Sequence, residues 1–219
     1  MENKILQLKQ TGFQIDGKTI LKHINLSIAE GEFLTITGPS GSGKSTLLKL
    51  LASMLTPTEG EILYKGKPIQ EYEPIDYRKR VSYTFQAAAL FGDTVEENLS
   101  FPYEIRKKEM NKQEAIAALK SFGLSEDYLN KEVNSLSGGE KQRIALIRNI
   151  LFLPDVLLLD EVTSSLDTEN RQIISQAIKR LNKENKVTVL WITHNTEEIA
   201  DADRKIEVVD GGIKEANHG

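Results

Sequence analysis

GPSGSGKST, residues 38–46, is the stretch from which the rest of the chain can be read. Residues 32–37 before it are short, apolar and rich in Phe, Thr and Ile, like a buried strand. After it, Leu47, Leu50, Leu51, Met54 and Leu55 recur at helical spacing until Thr56 and Pro57. A strand, a glycine loop and a helix in that order turn a G-x-x-x-x-G-K-[ST] match into a candidate phosphate-binding loop. Gly38, Gly41 and Gly43 let backbone N–H groups turn inward, Lys44 offers a point charge to phosphates, and Ser45 offers a hydroxyl to Mg²⁺. Pro39, Ser40, Ser42 and Thr46 complete the cradle. A glycine-rich turn that merely carries Lys-Ser is the plainer alternative. With Gly at about 7% of average usage, that coincidence should occur in well under about 1% of chains this long.

Bulk properties narrow the field. The 219 residues fit one large domain, or a domain with a second lobe, and can bury a sizeable core. A net charge of -4 without a basic block leaves no footprint for a phosphate backbone, so nucleic acid is disfavoured as a partner. Absence of cysteine excludes disulfides, thiolate metal sites and cysteine nucleophiles, and is consistent with a reducing cytosol. The start MENKILQLKQ lacks a long apolar region, and no apolar run approaches the roughly 18 residues that cross a bilayer. The expectation is a soluble chain whose membrane role would come through another polypeptide.

Outward from the loop, residues 1–36 read as antiparallel strands, with Ile24, Leu26 and Ile28 alternating with polar neighbours and turns at Asp16-Gly17 and Glu30-Gly31. Residues 60–69 read as a hairpin with Lys65-Gly66-Lys67 at its tip, and residues 81–85 as a short strand ending at Gln86. Residues 87–153 change texture and suggest an inserted helical lobe between core segments 1–86 and 154–219 of one domain. In that lobe, Asn111 with Glu114 and Ser137 with Glu140 predict capping boxes. Residues 87–103 show no helical or strand period, yet group Ala87, Ala88, Ala89, Leu90, Phe91 and Phe101, an apolar cluster suited to docking a partner. Residues 156–159 and 187–192 are apolar runs expected of strands covered on both faces, with a helix marked by Ile174, Ile178 and Leu181 between them.

Polar residues follow these strands: Gln86, then Asp160 and Glu161, then His194. In open α/β sheets ligands bind beyond the carboxyl ends of the strands, which would gather these groups beside the phosphate loop. Asp160 and Gln86 are candidates, with Ser45, for a Mg²⁺ shell; Glu161 is the candidate general base for water, and His194 a donor to a γ-phosphate. Each has a plainer role, as a helix cap, a structural histidine or a solvent-facing glutamine. Ser137, Gly138 and Gly139 open a helix whose unpaired N–H groups and dipole could hold a second anion.

LSGGEKQR at residues 136–143 resembles the signature of the ATP-binding-cassette (ABC) ATPases. The remaining elements stand in that family's order: the phosphate loop, the Q-loop glutamine Gln86, the strand VLLLDE at 156–161, SSLD at 164–167 and the switch histidine His194. The resemblance implies an α/β fold: a P-loop NTPase core of mostly parallel sheet, with an antiparallel β layer and an inserted helical lobe. It also implies ATP and Mg²⁺ as cofactors, and a homodimer in which Ser137 and Gly139 of one chain meet the γ-phosphate held by the Lys44 loop of the other. A separate membrane-spanning permease would be the further partner, with this chain on the cytoplasmic face of the cell membrane. Glu161, His194 and Lys44 would be catalytic. Asp167 is expected both to cap a helix and to serve the dimer.

Two departures stand out. Ser165 occupies a position where relatives often have Ala, and Ile15 stands where the family usually stacks an aromatic ring on adenine. Phe13, two positions away and so expected on the same strand face, is an alternative stacking group. LFGDTVEENLSFPYEIR at 90–106, together with LSGGEKQRIALIRN at 136–149, is similar to the bacterial iron-export branch of the family and to its plant aluminium-tolerance relative. Other readings are an ATPase coupled to a non-transport membrane process such as cell division or mechanotransmission, or a nucleotide-operated switch with negligible turnover.

Overall fold

The computed structural model describes residues 3–215; the first two residues of the amino-terminal stretch and residues 216–219 lie outside the described part. Two long strands, β1 (Lys4–Ile15) and β2 (Lys18–Ala29), form a hairpin whose turn residues Asp16 and Gly17 both have positive φ, as a two-residue type I′ connection requires. The next strand is β3 (Phe33–Thr37), and the phosphate loop leads from it into α1 (Lys44–Leu51). β4 (Glu59–Tyr64) and β5 (Lys67–Pro68) follow as the hairpin anticipated around Gly66, and α2 (Pro74–Arg80) precedes β6 (Val81–Thr84). Then come α3 (Val95–Glu104), α4 (Lys112–Ser121) and α5 (Gly138–Ile150). The chain returns through β7 (Val156–Asp160), α6 (Thr168–Asn185), β8 (Thr188–Ile192), α7 (Thr196–Ala200), β9 (Arg204–Val209) and β10 (Gly212–Glu215).

The strands make two sheets. One is antiparallel, in the order β2-β1-β4-β5; the other runs β10-β9-β3-β8-β7-β6 and is parallel except for β10. All five residues of β3, β7 and β8 are buried, as strands covered on both faces should be. On one face Leu34, Ile36, Leu158, Leu190 and Ile192 pack with α1 and the antiparallel sheet. On the other, Phe33, Leu157, Leu159, Val189 and Trp191 share a single apolar cluster with residues of α3, α4, α5 and α6. The helices of residues 87–153 thus rest on the core sheet and bury their apolar faces against it.

Several expectations need correction. α1 ends at Leu51, short of Thr56-Pro57, because Ser53 turns into the left-handed region and Met54 and Leu55 both donate to the Lys49 carbonyl. Met54 is consequently exposed. Residues 87–103 do contain a helix: Thr94 and Glu97 form a reciprocal capping box at the start of α3, and Val95, Leu99 and Tyr103 are buried at helical spacing. The Asn111 cap is one-sided, since its side chain accepts from the N–H groups of Gln113 and Glu114 while the Glu114 carboxylate accepts from the Tyr103 hydroxyl at 2.9 Å. Phe13 and Ile15 do not share a face. Register shifts on either side of Phe13 break the alternation, leaving Phe13 in the core at 9% exposure and Ile15 at 51%.

Candidate active site

The phosphate loop is shaped by positions where only glycine fits. Gly38 has φ 134°, and a Cβ there would lie 2.2 Å from the Val208 carbonyl oxygen; at Gly43, φ 107°, it would lie 2.8 Å from Leu21 Cδ2. Gly43 is the N-cap of α1 and has no side chain to offer, so the first N–H groups of the helix remain for an anion. Lys44 is buried, and its ammonium donates to the carbonyls of Gly38 at 2.8 Å and Pro39 at 2.9 Å. Two of its three donors thereby fix the charge at the mouth of the loop and leave the third for a phosphate oxygen. This uncapped helix start with a buried cation fits a nucleotide phosphate chain.

Beside it, Ser45 Oγ donates to Asp160 Oδ1 at 3.0 Å, joining the start of α1 to the end of β7. Among the described residues no three His, Asp or Glu side chains gather as a metal site. A hydroxyl and one carboxylate nevertheless suit Mg²⁺, which keeps waters and takes phosphates as its other ligands. The second oxygen of Asp160 accepts from the Tyr83 hydroxyl at 2.6 Å. Burial, reinforced by that bond, raises the pKa of the Tyr83 phenol well above its usual value, so it stays protonated and donates.

Glu161 follows with φ 50°, a left-handed backbone rare for a glutamate. The turn is held by its N–H donating to Ile192 O at 3.1 Å and by the Ser164 hydroxyl donating to its carbonyl at 2.9 Å. In this pose Gln86 Nε2 donates to Glu161 Oε2 at 3.3 Å, and His194 Nε2 stands 3.7 Å from Glu161 Oε1. The structure thus brings Gln86, Glu161 and His194 together, with Ser45 and Asp160 adjacent. The amide N–H of Gln86 goes to Glu161 rather than to the Ser45–Asp160 pair, which leaves its carbonyl oxygen for a metal or water.

Ser137 caps α5: its side chain accepts from Glu140 N at 3.3 Å, and its N–H donates to Glu140 Oε2 at 2.7 Å. The Tyr128 hydroxyl bonds the same carboxylate and, with the Ser137 contacts, keeps it below the usual carboxylate range. Gly139 is required by its neighbour, since a Cβ would come within 2.6 Å of the Asn170 amide. Asn170 in turn donates to Asp167, the N-cap of α6, which bears out the capping half of the expectation for Asp167. Among the described residues no hydrogen bond connects Ser137, Gly138 or Gly139 with the phosphate loop of the same chain.

Ile15 lies at the tip of the β1–β2 hairpin, paired with Lys18, and the following Ile20 and Leu21 pack against Gly43. The β2 segment at Ile20 and Leu21 therefore borders the phosphate loop. The sequence reading missed Tyr83 and Asn170. Tyr83 carried no motif, and its contact crosses from β6 to the end of β7; Asn170 is visible as a partner only once α6 is folded beside α5.

On the flank of the molecule a groove of about 560 Å³ runs between α2, β6 and α3, lined by Met54, Ile75, Phe85, Phe101, Ile105 and Arg106 among others. Of the expected docking cluster, Phe101 borders this groove and the Phe91 ring packs edge-on against the Phe101 ring, centroids 5.3 Å apart, whereas Leu90 packs on the core.

The family described as ABC transporter matches residues 21–164. The chain is 47% identical over 202 residues to the "Probable iron export ATP-binding protein FetA" of Escherichia coli K12, covering 92% of this chain and 90% of that one. It is 39% identical to the spermidine/putrescine import ATP-binding protein PotA of Mesoplasma florum, covering 98% of this chain but only 62% of PotA. Among solved structures, the dimeric post-hydrolysis cassette MJ0796 bound to ADP and Pi superposes with a TM-score of 0.87 at 31% identity, over 98% of this chain and 100% of that one. The cbiO1 protein of Clostridium perfringens, part of the ABC transporter complex cbiONQ, gives 0.82 at 30% identity, over 97% and 88%.

Proposed function

Because this chain belongs to the ABC transporter family, as an ATP-hydrolysing nucleotide-binding subunit, we propose that its chemistry runs at a site shared by two copies and that the cargo is iron, moved outward. The observation that carries the hydrolysis is Glu161, held in a left-handed turn between Gln86 and His194 and next to the Ser45–Asp160 pair. Mg²⁺ would be held by Ser45, Asp160 and the Gln86 carbonyl, and would supply charge neutralisation for the phosphates. Lys44 and the N–H groups of α1 bind the phosphate chain. Glu161 accepts the proton of the attacking water, and His194 donates toward the γ-phosphate.

The distribution of candidate anion sites supports a dimer. Ser137 to Gly139 form a capped helix start with no bond to the chain's own phosphate loop, and the MJ0796 and cbiO1 structures are a cassette dimer and part of a transporter complex. A second copy, placed head to tail, would bring this helix start to the γ-phosphate.

No helix among the described residues is long and apolar enough to cross a membrane. We assign the flanking groove to a membrane-spanning subunit, with this chain on the cytoplasmic face. Phe101→Glu or Ile75→Glu should leave ATP hydrolysis by the isolated chain within about twofold and abolish co-purification of the membrane subunit. Retained co-purification with both variants would remove the groove from the interface.

Iron as cargo rests on the 47% identity to FetA across nearly the whole of both chains, set against 39% to the polyamine importer PotA. Inside-out vesicles carrying the complex should accumulate Fe²⁺ when ATP is added. Undiminished ATPase without Fe²⁺ uptake would overturn the cargo.

Base recognition should be weak. Aromatic stacking is worth about 1 to 3 kcal/mol per base, and Ile15 offers only apolar contact while Phe13 is committed to the core. ATP and GTP should bind within about tenfold of each other, a difference below about 1.4 kcal/mol. Ile15→Tyr should tighten ATP. A strong ATP preference in the unmodified chain, read by competition binding, would contradict this.

A further inference from the structure

Asp160 is buried, and each of its oxygens has one partner: Ser45 Oγ at 3.0 Å on Oδ1, and the Tyr83 hydroxyl at 2.6 Å on Oδ2. The tyrosine is half-buried and has contacts of its own. Its backbone carbonyl accepts from Asn149 Nδ2 at 3.0 Å, and its ring packs edge-on against Phe85 at 4.8 Å, with an interplanar angle of 76°. A carboxylate held at one oxygen by this phenol is restrained from swinging its other oxygen away from Ser45. We propose that Tyr83 is a positioning residue of the metal shell: its hydroxyl sets the orientation of Asp160, so that Oδ1 is the oxygen presented beside Ser45 to Mg²⁺. This rests on the assignment of Asp160 to that shell.

Two effects oppose each other when the hydroxyl is removed. Losing the donor leaves Oδ2 more basic, which favours a cation; it also leaves the carboxylate free to rotate and one buried oxygen without a partner. Partners that orient metal ligands usually matter more, changing metal affinity by about 10- to 100-fold. The orientation effect is therefore expected to win. Because the Tyr83 hydroxyl bonds Asp160 and no residue of the phosphate loop, its loss should fall on the metal alone.

The test uses the intact chain with the non-hydrolysable analogue AMP-PNP, titrated with Mn²⁺ in place of Mg²⁺ and followed by the EPR signal of free Mn²⁺. Tyr83→Phe keeps the ring and removes only the hydroxyl. It should weaken Mn²⁺ binding by about tenfold, leave nucleotide binding in EDTA unchanged, and lower Tm by no more than about 4 °C. Asp160→Asn serves as the second arm and should weaken Mn²⁺ at least as much. If Asp160→Asn weakens Mn²⁺ while Tyr83→Phe stays within twofold of the unmodified chain, the role of Tyr83 is overturned and Asp160 keeps its place. If Asp160→Asn leaves Mn²⁺ affinity intact, the assignment of Asp160 falls, and Tyr83 with it. A Tyr83→Phe chain that loses nucleotide affinity equally in EDTA has a structural role only, which also overturns the proposal.

Discussion

Glu161→Gln should slow phosphate release by about 10²- to 10⁴-fold, the range that a positioned acid-base group supplies, while ATP binding survives. The substitution is nearly isosteric, so the left-handed turn at position 161 and its bonds to Ile192 and Ser164 persist. The site loses its proton acceptor and little else. Since Lys44, Ser45 and Asp160, the residues assigned to the phosphates and metal, are unchanged, ATP should accumulate and keep two chains associated, visible as a stable dimer in gel filtration with ATP and Mg²⁺. Unchanged turnover would remove Glu161 as the base. Phosphate release already negligible in the unmodified chain would instead favour a nucleotide-operated switch.

Lys44→Ala should reduce ATP affinity by about 10- to 100-fold. A hydrogen bond to a charged group contributes about 1.5 to 3 kcal/mol, and the variant additionally leaves the Gly38 and Pro39 carbonyls without their donor. Ser137→Arg should leave ATP affinity of the isolated chain nearly intact, because Ser137 makes no bond to its own phosphate loop. Its effect should fall on the ATP-held dimer, where a long side chain would occupy the place of the γ-phosphate. Equilibrium nucleotide binding and gel filtration separate the two variants.

The features legible in the sequence are those fixed by local stereochemistry. Positive φ at Gly38, Gly41 and Gly43 and at the Asp16-Gly17 turn can be read from residue type alone, and the Ser137–Glu140 cap from a spacing of three. The strands β3, β7 and β8 announced themselves as apolar runs. α3 is concealed in the sequence although Thr94 and Glu97 spell its cap, because Pro102 near its end and the alanines before it mask the spacing of Val95, Leu99 and Tyr103. The bulge at Phe13 is a tertiary effect: strict alternation would have paired its face with that of Ile15, and only the packing of β1 on β2 and the core shows otherwise. The Asp210-Gly211 turn, with φ 51° and 74°, spells the final β9–β10 hairpin in residue type alone. Tyr83 lay beyond reach for a different reason. A tyrosine in a strand reads as ordinary β material until the neighbouring strand brings Asp160 to its hydroxyl.

The central claim is a site completed by a second copy, and mixing the two defective chains tests it most directly. In a head-to-tail dimer of Lys44→Ala with Ser137→Arg, one composite site carries both lesions and the other carries neither. With Glu161→Gln added to both chains so that nucleotide is retained, radiolabelled ATP should be trapped by the mixture at about half the sites of an unmutated pair, and by neither variant alone. Trapping absent from the mixture, or equally strong in Ser137→Arg by itself, would contradict the shared site.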